Sequence, residues 1–288
     1  MYSNKRKQWR EQAAHALFFL SACVSIMAVG VICVFLFANG VPAMAEIGLF
    51  DFLLGKTWRP GNDIYGILPM ILGSIYVTAG AIVVGVPVGI LTAVFMARFC
   101  PPKLYAVIKP AINLLAGIPS VVYGFFGLIV IVPMMAALFG GSGKSIATAS
   151  VLLGLMILPT IIGVSESAIR AVPDSYYEGA LALGASHERS VFFATLPAAR
   201  SGIMAGVILG IGRAIGETMA VIMVAGNQAS MPKGLFAGVR TMTANIVIEM
   251  GYAADLHREA LIATAVVLFV FILIINLSFS ILSRRPES

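Results

Sequence analysis

The stretch "PDSYYEGALALGASHERSVFFATLPAARSG", residues 173–202, is too regular for a linker. Its apolar residues recur at helical spacing through Tyr177, Leu181 and Gly184, then again at Val191 and Phe192. Pro173 suits a helix start, and Pro197 ends or offsets a second helix. The pattern predicts two short helices with a turn near Gly184–Ser186, where glycine supplies the positive φ that a sharp turn requires. Such a hairpin has two physical roles open to it. It can lie on a membrane surface, or it can dock a partner.

The segments around the hairpin are strongly apolar. Of 288 residues, 59% are hydrophobic and 11% charged, against roughly 25% charged in soluble domains. Six helices are predicted at about 16–37, 68–96, 104–138, 146–169, 202–225 and 258–282, several reaching the ~20 residues that a membrane crossing needs. The third is too long for one crossing, and "GIPSVVYG" (117–124) divides a short helix from the true span. Pro87, Pro119, Pro133 and Pro159 predict kinks, tolerable in lipid where neighbours satisfy the freed carbonyls. Twelve Lys and Arg residues fall in the N-terminus, the second loop, the fourth loop with Arg170, Arg189 and Arg200, and the tail, against six in the opposite set. The bias places both termini and the hairpin in the cytoplasm. The net charge of +6 therefore reports topology and gives no reason to expect nucleic acid.

Several motifs are excluded on their chemistry. "AMA" at 43–45 resembles a signal cleavage site, but the apolar run before it exceeds the usual ~7–15 residues and reads as an anchor. "LFGGSGKS" (138–145) lacks the first glycine of a phosphate-cradling loop and follows no strand, so it reads as an exterior turn. Cys23, Cys33 and Cys100 have no metal or disulfide spacing. No span joins a nucleophile to a base among His15, His187 and His257, so neither catalysis nor a bound cofactor or metal is expected in this chain.

Arg213 and Glu217, in "IGRAIGETMAV" (211–221), put two charges into an apolar helix. At roughly 100° per residue, Gly202, Gly206, Gly210, Arg213 and Glu217 share one stripe within about 40° of Gly206. Small residues admit a neighbouring helix closely, and intramembrane charges face a bundle interior or a wet cavity. Arg213 falls roughly 16 Å along the span, near the midplane of a ~30 Å core. Two roles are open: a buried ion pair fixing helix register, or a waypoint for an oxyanion, whose oxygens a guanidinium fork matches. Glu166 with Arg170 reads as an interfacial salt bridge, and Trp58, Tyr65 and Tyr252 as an outer aromatic belt.

The hairpin resembles the EAA loop of ABC-importer permeases, E-A-A-x3-G-x9-I-x-L-P, through Glu178, Ala180, Gly184, Leu196 and Pro197. Gly179 and Ala194 depart from that pattern. "WRPGNDIYGILPMILGS" (58–74), "AGIPSVVYGFFGL" (116–128) and "GRAIGETMAVIMVAGN" (212–227) are similar to phosphate-specific transporter permeases of the PstC type. The resemblance implies an all-α integral membrane protein with the type I importer (MetI-like) permease fold and six transmembrane helices. A first region at 1–57 carries the basic N-terminus and first helix, and a five-helix core spans 58–288. It implies a multi-pass bacterial inner-membrane subunit carrying inorganic phosphate in the lipid bilayer. Its partners would be a PstA-like second permease, two PstB-like ATPase subunits holding ATP and Mg, and an external PstS-like phosphate-binding protein. Glu178, Gly179, Ala180, Gly184, Leu196 and Pro197 would couple to the ATPase. The alternatives are a permease for molybdate, sulfate or a polar organic solute, an ion-driven carrier, or a membrane scaffold.

Overall fold

Hydrophobic length sets the architecture. The computed structural model describes the backbone of residues 2–283 and side chains from 9 to 278. The chain opens with α1 (Tyr2–Ile47), α2 (Leu49–Leu54) and a hairpin of β1 (Trp58–Arg59) and β2 (Ile64–Tyr65), pairing Trp58 with Tyr65. Then come α3 (Leu68–Val94), α4 (Pro102–Gly117), α5 (Ser120–Phe126), α6 (Val132–Phe139) and α7 (Ile146–Arg170). The 173–202 region forms α8 (Asp174–Ala182), α9 (His187–Ser190) and α10 (Leu196–Ala198), and the chain continues through α11 (Arg200–Gly216) and α12 (Met219–Val224). A returning segment carries α13 (Met242–Glu249), and α14 (Asp255–Ser283) closes the fold.

Five helical stretches are long and apolar enough to cross a membrane: Trp9–Ile47, Leu68–Phe99, Ser120–Phe139, Ile146–Arg170 and Asp255–Ser278. α11, which leaves α10 at a bend of 70°, supplies the sixth. The third predicted helix divides where the sequence indicates, with Ile118 and Pro119 extended between α4 and α5. The first helix is longer than predicted and runs to Ile47. The fifth predicted span is not continuous. It stops at Gly216, Glu217 takes extended dihedrals (φ −69°, ψ 129°), and α12 restarts at Met219.

Prolines explain the local irregularities. Among the described residues three π-turns occur: Phe95–Phe99 continues α3 and ends at the extended Cys100 before Pro101, whereas Gly127–Ile131 and Val191–Thr195 run on into helices that carry Pro133 and Pro197. A proline ring clashes with the carbonyl four residues earlier and removes one donor. Widening the preceding turn accommodates the ring without unwinding the span.

Among the described residues four packed regions fill the bundle: three lie along it, and a fourth joins Val207, Ile211 and Ile215 of α11 to α3 and α14. One end, which carries α8 and α9, is filled by Val94, Met96, Ile112, Ile162, Ile169 and Val191. The centre joins α3, α5, α7 and α12 through Val77, Tyr123, Leu152, Ile157 and Ala220. The far end unites the hairpin with α13 and α14 through Phe52, Trp58, Tyr65, Met70, Met242 and Leu261. α3 and α7 form the most extensive helix pair. A Cβ on Gly85 would lie 2.8 Å from the Gly154 carbonyl, so the two backbones meet at a mutual notch. By contrast, the α1 side chains from Trp9 to Ile32 are all exposed, which suits lipid or a partner subunit.

Near the α8 end, Glu166 is 1% exposed, and its carboxylate accepts from Tyr105 (2.7 Å), Lys109 and Arg170 (2.9 Å). The predicted Glu166–Arg170 bridge is thus the core of a larger node. Arg170 also donates to the Met96 carbonyl at 2.8 Å and covers the Tyr105 ring at 4.5 Å, joining α3, α4 and α7. The bond to Glu166, and then burial, hold the Tyr105 hydroxyl above its ordinary pKa. Removing one partner from a buried ion group strands the others, at about 3–5 kcal/mol. Glu166→Ala is expected to cost about 3 kcal/mol, read as a lower melting temperature in detergent, with Glu166→Gln losing less.

Candidate functional site

Small residues and a broken helix build the centre of the molecule. α11 lies against α7 along its glycines: a Cβ on Gly206 would reach the Ser165 hydroxyl at 2.9 Å, and one on Gly210 would reach Ile161 at 2.8 Å. Gly202 faces the Ala168 methyl in the same manner. These three glycines therefore set the α7–α11 spacing, and the stripe meets protein, not lipid. Arg213, one turn beyond Gly210, is partly exposed within the bundle and donates to Thr160 Oγ1 of α7 at 3.3 Å.

The expected Arg213–Glu217 pair does not form. The stripe calculation assumed an unbroken helix, and the break at Gly216 turns Glu217 away from it. Among the described residues, Glu217 has no salt bridge. Its Oε1 accepts from the Ala220 N–H at 3.3 Å, capping α12, and its carbonyl accepts from Thr243 at 3.2 Å. Thr218 returns a hydrogen bond to the Gly216 carbonyl at 3.2 Å. Irregular backbone at membrane depth persists only where protein buries it or where it lines a wet cavity. Arg213, Glu217 and Thr218 are each partly exposed, so protein does not wholly bury this stretch.

The 173–202 loop is a distinct site. α8 begins after Pro173, and Gly184 makes the turn at φ +85° with nothing near its missing side chain. Conformation, not space, therefore requires glycine there. Ser186 caps α9 by accepting from the Arg189 N–H at 3.3 Å. Glu178, Gly179 and Ala180 lie on α8, which contains no buried residue, and Pro197 is also exposed. Leu196 is half-buried, so it anchors the loop from below. Glu188, in α9, has its carboxyl held below the usual range by its own backbone N–H and the Ser186 hydroxyl.

A third cluster escaped the sequence reading. Trp58 and Tyr65 do not belong to a surface belt; they are 5% and 3% exposed. Trp58 donates to Glu249 at 2.8 Å, which also meets Arg240 and, at 2.9 Å, His257. Tyr252 alone remains surface-exposed as expected. The partners lie up to 191 residues apart, beyond any local periodicity. The one signal was an Arg and a Glu, at 240 and 249, flanking the apolar-rich stretch between them.

Comparison with known proteins agrees with this architecture. Residues 85–288 match the family model described as binding-protein-dependent transport system inner membrane component. The chain is 36% identical over 292 residues to a probable ABC transporter permease, YqgH, of Bacillus subtilis, covering 99% of this chain and 94% of the relative. It is 34% identical over 282 residues to the phosphate transport system permease PstC of Mesorhizobium japonicum, covering 91% and 86%. A bacterial alginate ABC transporter, solved with a pentasaccharide-bound periplasmic protein, superposes with a TM-score of 0.67 at 16% identity, over 96% of this chain and 97% of that one. The MetNI methionine transporter in an inward-facing form gives 0.56 at 20% identity, over 76% and 93%.

Gly184→Ala forces a side chain into left-handed backbone at about 1–2 kcal/mol. Amide exchange at 183–186 is expected to quicken roughly tenfold by hydrogen-exchange mass spectrometry, and less for Gly184→Asn. A buried α7–α11 seam, a broken span carrying Arg213 and the loop at 173–202 sit on the framework those relatives share; the chain belongs to the binding-protein-dependent transport system inner membrane components and is an ABC importer permease.

Proposed function

We propose that this permease carries inorganic phosphate, forms one half of the translocation path, and couples to a separate ATPase through 173–202. Arg213 at the broken span carries the reading. Its only hydrogen bond among the described residues goes to Thr160, so the remaining N–H groups of the fork are available to an oxyanion. Glu217 ends the same helix and leaves a negative charge beside the path. The guanidinium attracts an anion, and Glu217, four residues on and not paired with it, adds a negative charge that opposes tight retention, the balance conduction needs. The PstC names among the relatives support phosphate as the anion.

The basic bias across the loops supports a cytoplasmic 173–202 hairpin. There, Glu178, Gly179, Ala180 and Gly184 on and beside α8 meet an ATPase that holds ATP and Mg. Leu196 and Pro197 set the hairpin's exit, and a PstA-like second permease completes the channel. An external phosphate-binding protein delivers cargo to the opposite face, at the outer loops around 40–66 and 228–256. ATP-driven closure of the ATPases moves α8 and α9, and the bundle switches its opening.

Reconstitution with the three partners tests this. Labelled phosphate uptake is expected to exceed that of sulfate or molybdate, and Arg213→Ala is expected to lower it at least 100-fold (about 2.7 kcal/mol) while the complex still assembles. Preferred uptake of sulfate or molybdate would reassign the cargo, and wild-type uptake by Arg213→Ala would remove it from the path.

A further inference from the structure

We propose that Arg98 and Phe99, in the π-turn Phe95–Phe99 that continues α3, are positioning residues that transmit movement of the 173–202 loop along α3 to the far face. This rests on the reading of that loop as the ATPase contact. Arg98 donates to Asp174 Oδ1 at 3.1 Å and to the Ile169 carbonyl at 3.4 Å, and lies 5.8 Å from the Tyr177 ring. It therefore grips the end of α7 and the start of α8 together. Phe99 packs edge-on against His187 at 4.7 Å, and His187 Nδ1 shares a 2.7 Å hydrogen bond with the Tyr177 hydroxyl. Two adjacent residues of the turn that continues α3 thus hold both α8 and α9.

The opposite end of α3 is equally tied. Ser74 Oγ accepts from the Met242 N–H at 3.0 Å, and Gly73 abuts the Arg240 backbone. Arg240 belongs to the Trp58–Glu249–His257 cluster at the far face. Between these ties α3 is braced against α7 by the Gly85–Gly154 notch, so displacement at one end is carried as a rigid body. One helix therefore links the loop to the face where an external protein would dock.

Arg98 also shows an incomplete hydrogen-bond set. Its side chain is 15% exposed, yet Nε is buried with no partner. Asp174 is 76% exposed and engages only one guanidinium nitrogen. A slide of α8 along Arg98 would bring the second Asp174 oxygen to Nε and complete a two-pronged pair. The contact therefore has a second arrangement available, as a two-state link requires.

The experiment uses the reconstituted permease–ATPase complex and measures ATP hydrolysed per phosphate taken up. Arg98→Ala and Phe99→Ala are expected to bind the ATPase in normal ratio and hydrolyse ATP, while uptake per ATP falls at least tenfold. Arg98→Lys, which keeps the charge but loses the fork, is expected to fall between. Asp174→Asn, at an exposed position that does not threaten folding, is expected to lower the ratio several-fold. Unchanged uptake per ATP in Asp174→Asn and in the folded Arg98 variants overturns the inference while leaving the loop as the ATPase contact. Loss of the ATPase from the Arg98 variants alone also overturns it, since that is docking and not transmission. Failure of the wild-type chain to hold an ATPase overturns both readings.

Discussion

A backbone released from helix inside a bilayer has to find hydrogen-bond partners within the protein, because lipid offers none. Gly216, Glu217 and Thr218 leave the helix partway along the bundle, and the fold answers locally. Glu217 caps α12 through Ala220, Thr218 closes on Gly216, and Thr243 reaches the Glu217 carbonyl from the returning segment. That last contact is one of several that hold 225–249 against the bundle. The segment also pairs Val239 N–H with the Ala225 carbonyl and supplies the Leu235 and Ala237 carbonyls to the first turn of α7. One break in one helix therefore organises three other elements.

Charge placement follows the same economy. Two buried carboxylates, Glu166 and Glu249, sit at opposite ends of the bundle, each bonded by three donors that join a sequence neighbour to a distant part of the chain. Between them the packed centre is apolar, and Arg213 reaches its edge with a single neutral partner. Fully partnered charges fix register. A partly partnered charge at depth retains capacity for a visitor.

What the sequence made legible depended on period and distance. The glycine stripe was readable because residues four apart share a helical face, and α7 does pack on it. The split near 117–124 was readable because Ile-Pro excludes helix before the ring. The hairpin's form was legible from Pro173, Gly184 and Pro197. The break at 216 was not, since a wheel projection assumes continuity, although Gly-Glu-Thr carries a helix-ending glycine followed by capping side chains. The far-face cluster was hidden for a different reason. Trp58, Arg240 and Glu249 are brought together by topology, and aromatic composition near a membrane edge suggested a belt instead.

The broken span also bears on how such a bundle could move. A continuous helix would tie the loop end of α11 rigidly to its far end. The break decouples them: α11 stays locked to α7 by its glycines, whereas α12 packs on α5 and against the returning segment. α3, bound to α7 throughout, is the continuous member that joins both faces. A shift of the α3–α7–α11 unit against α5 and α12 would keep the α3–α7 and α7–α11 glycine contacts, and the contact of Gly127 with Leu152 of α7 is the one that would have to slide. Dense interfaces move as bodies, and the flexible joint lies where the helix is already interrupted. The residue that costs most to hold in the membrane stands beside that joint.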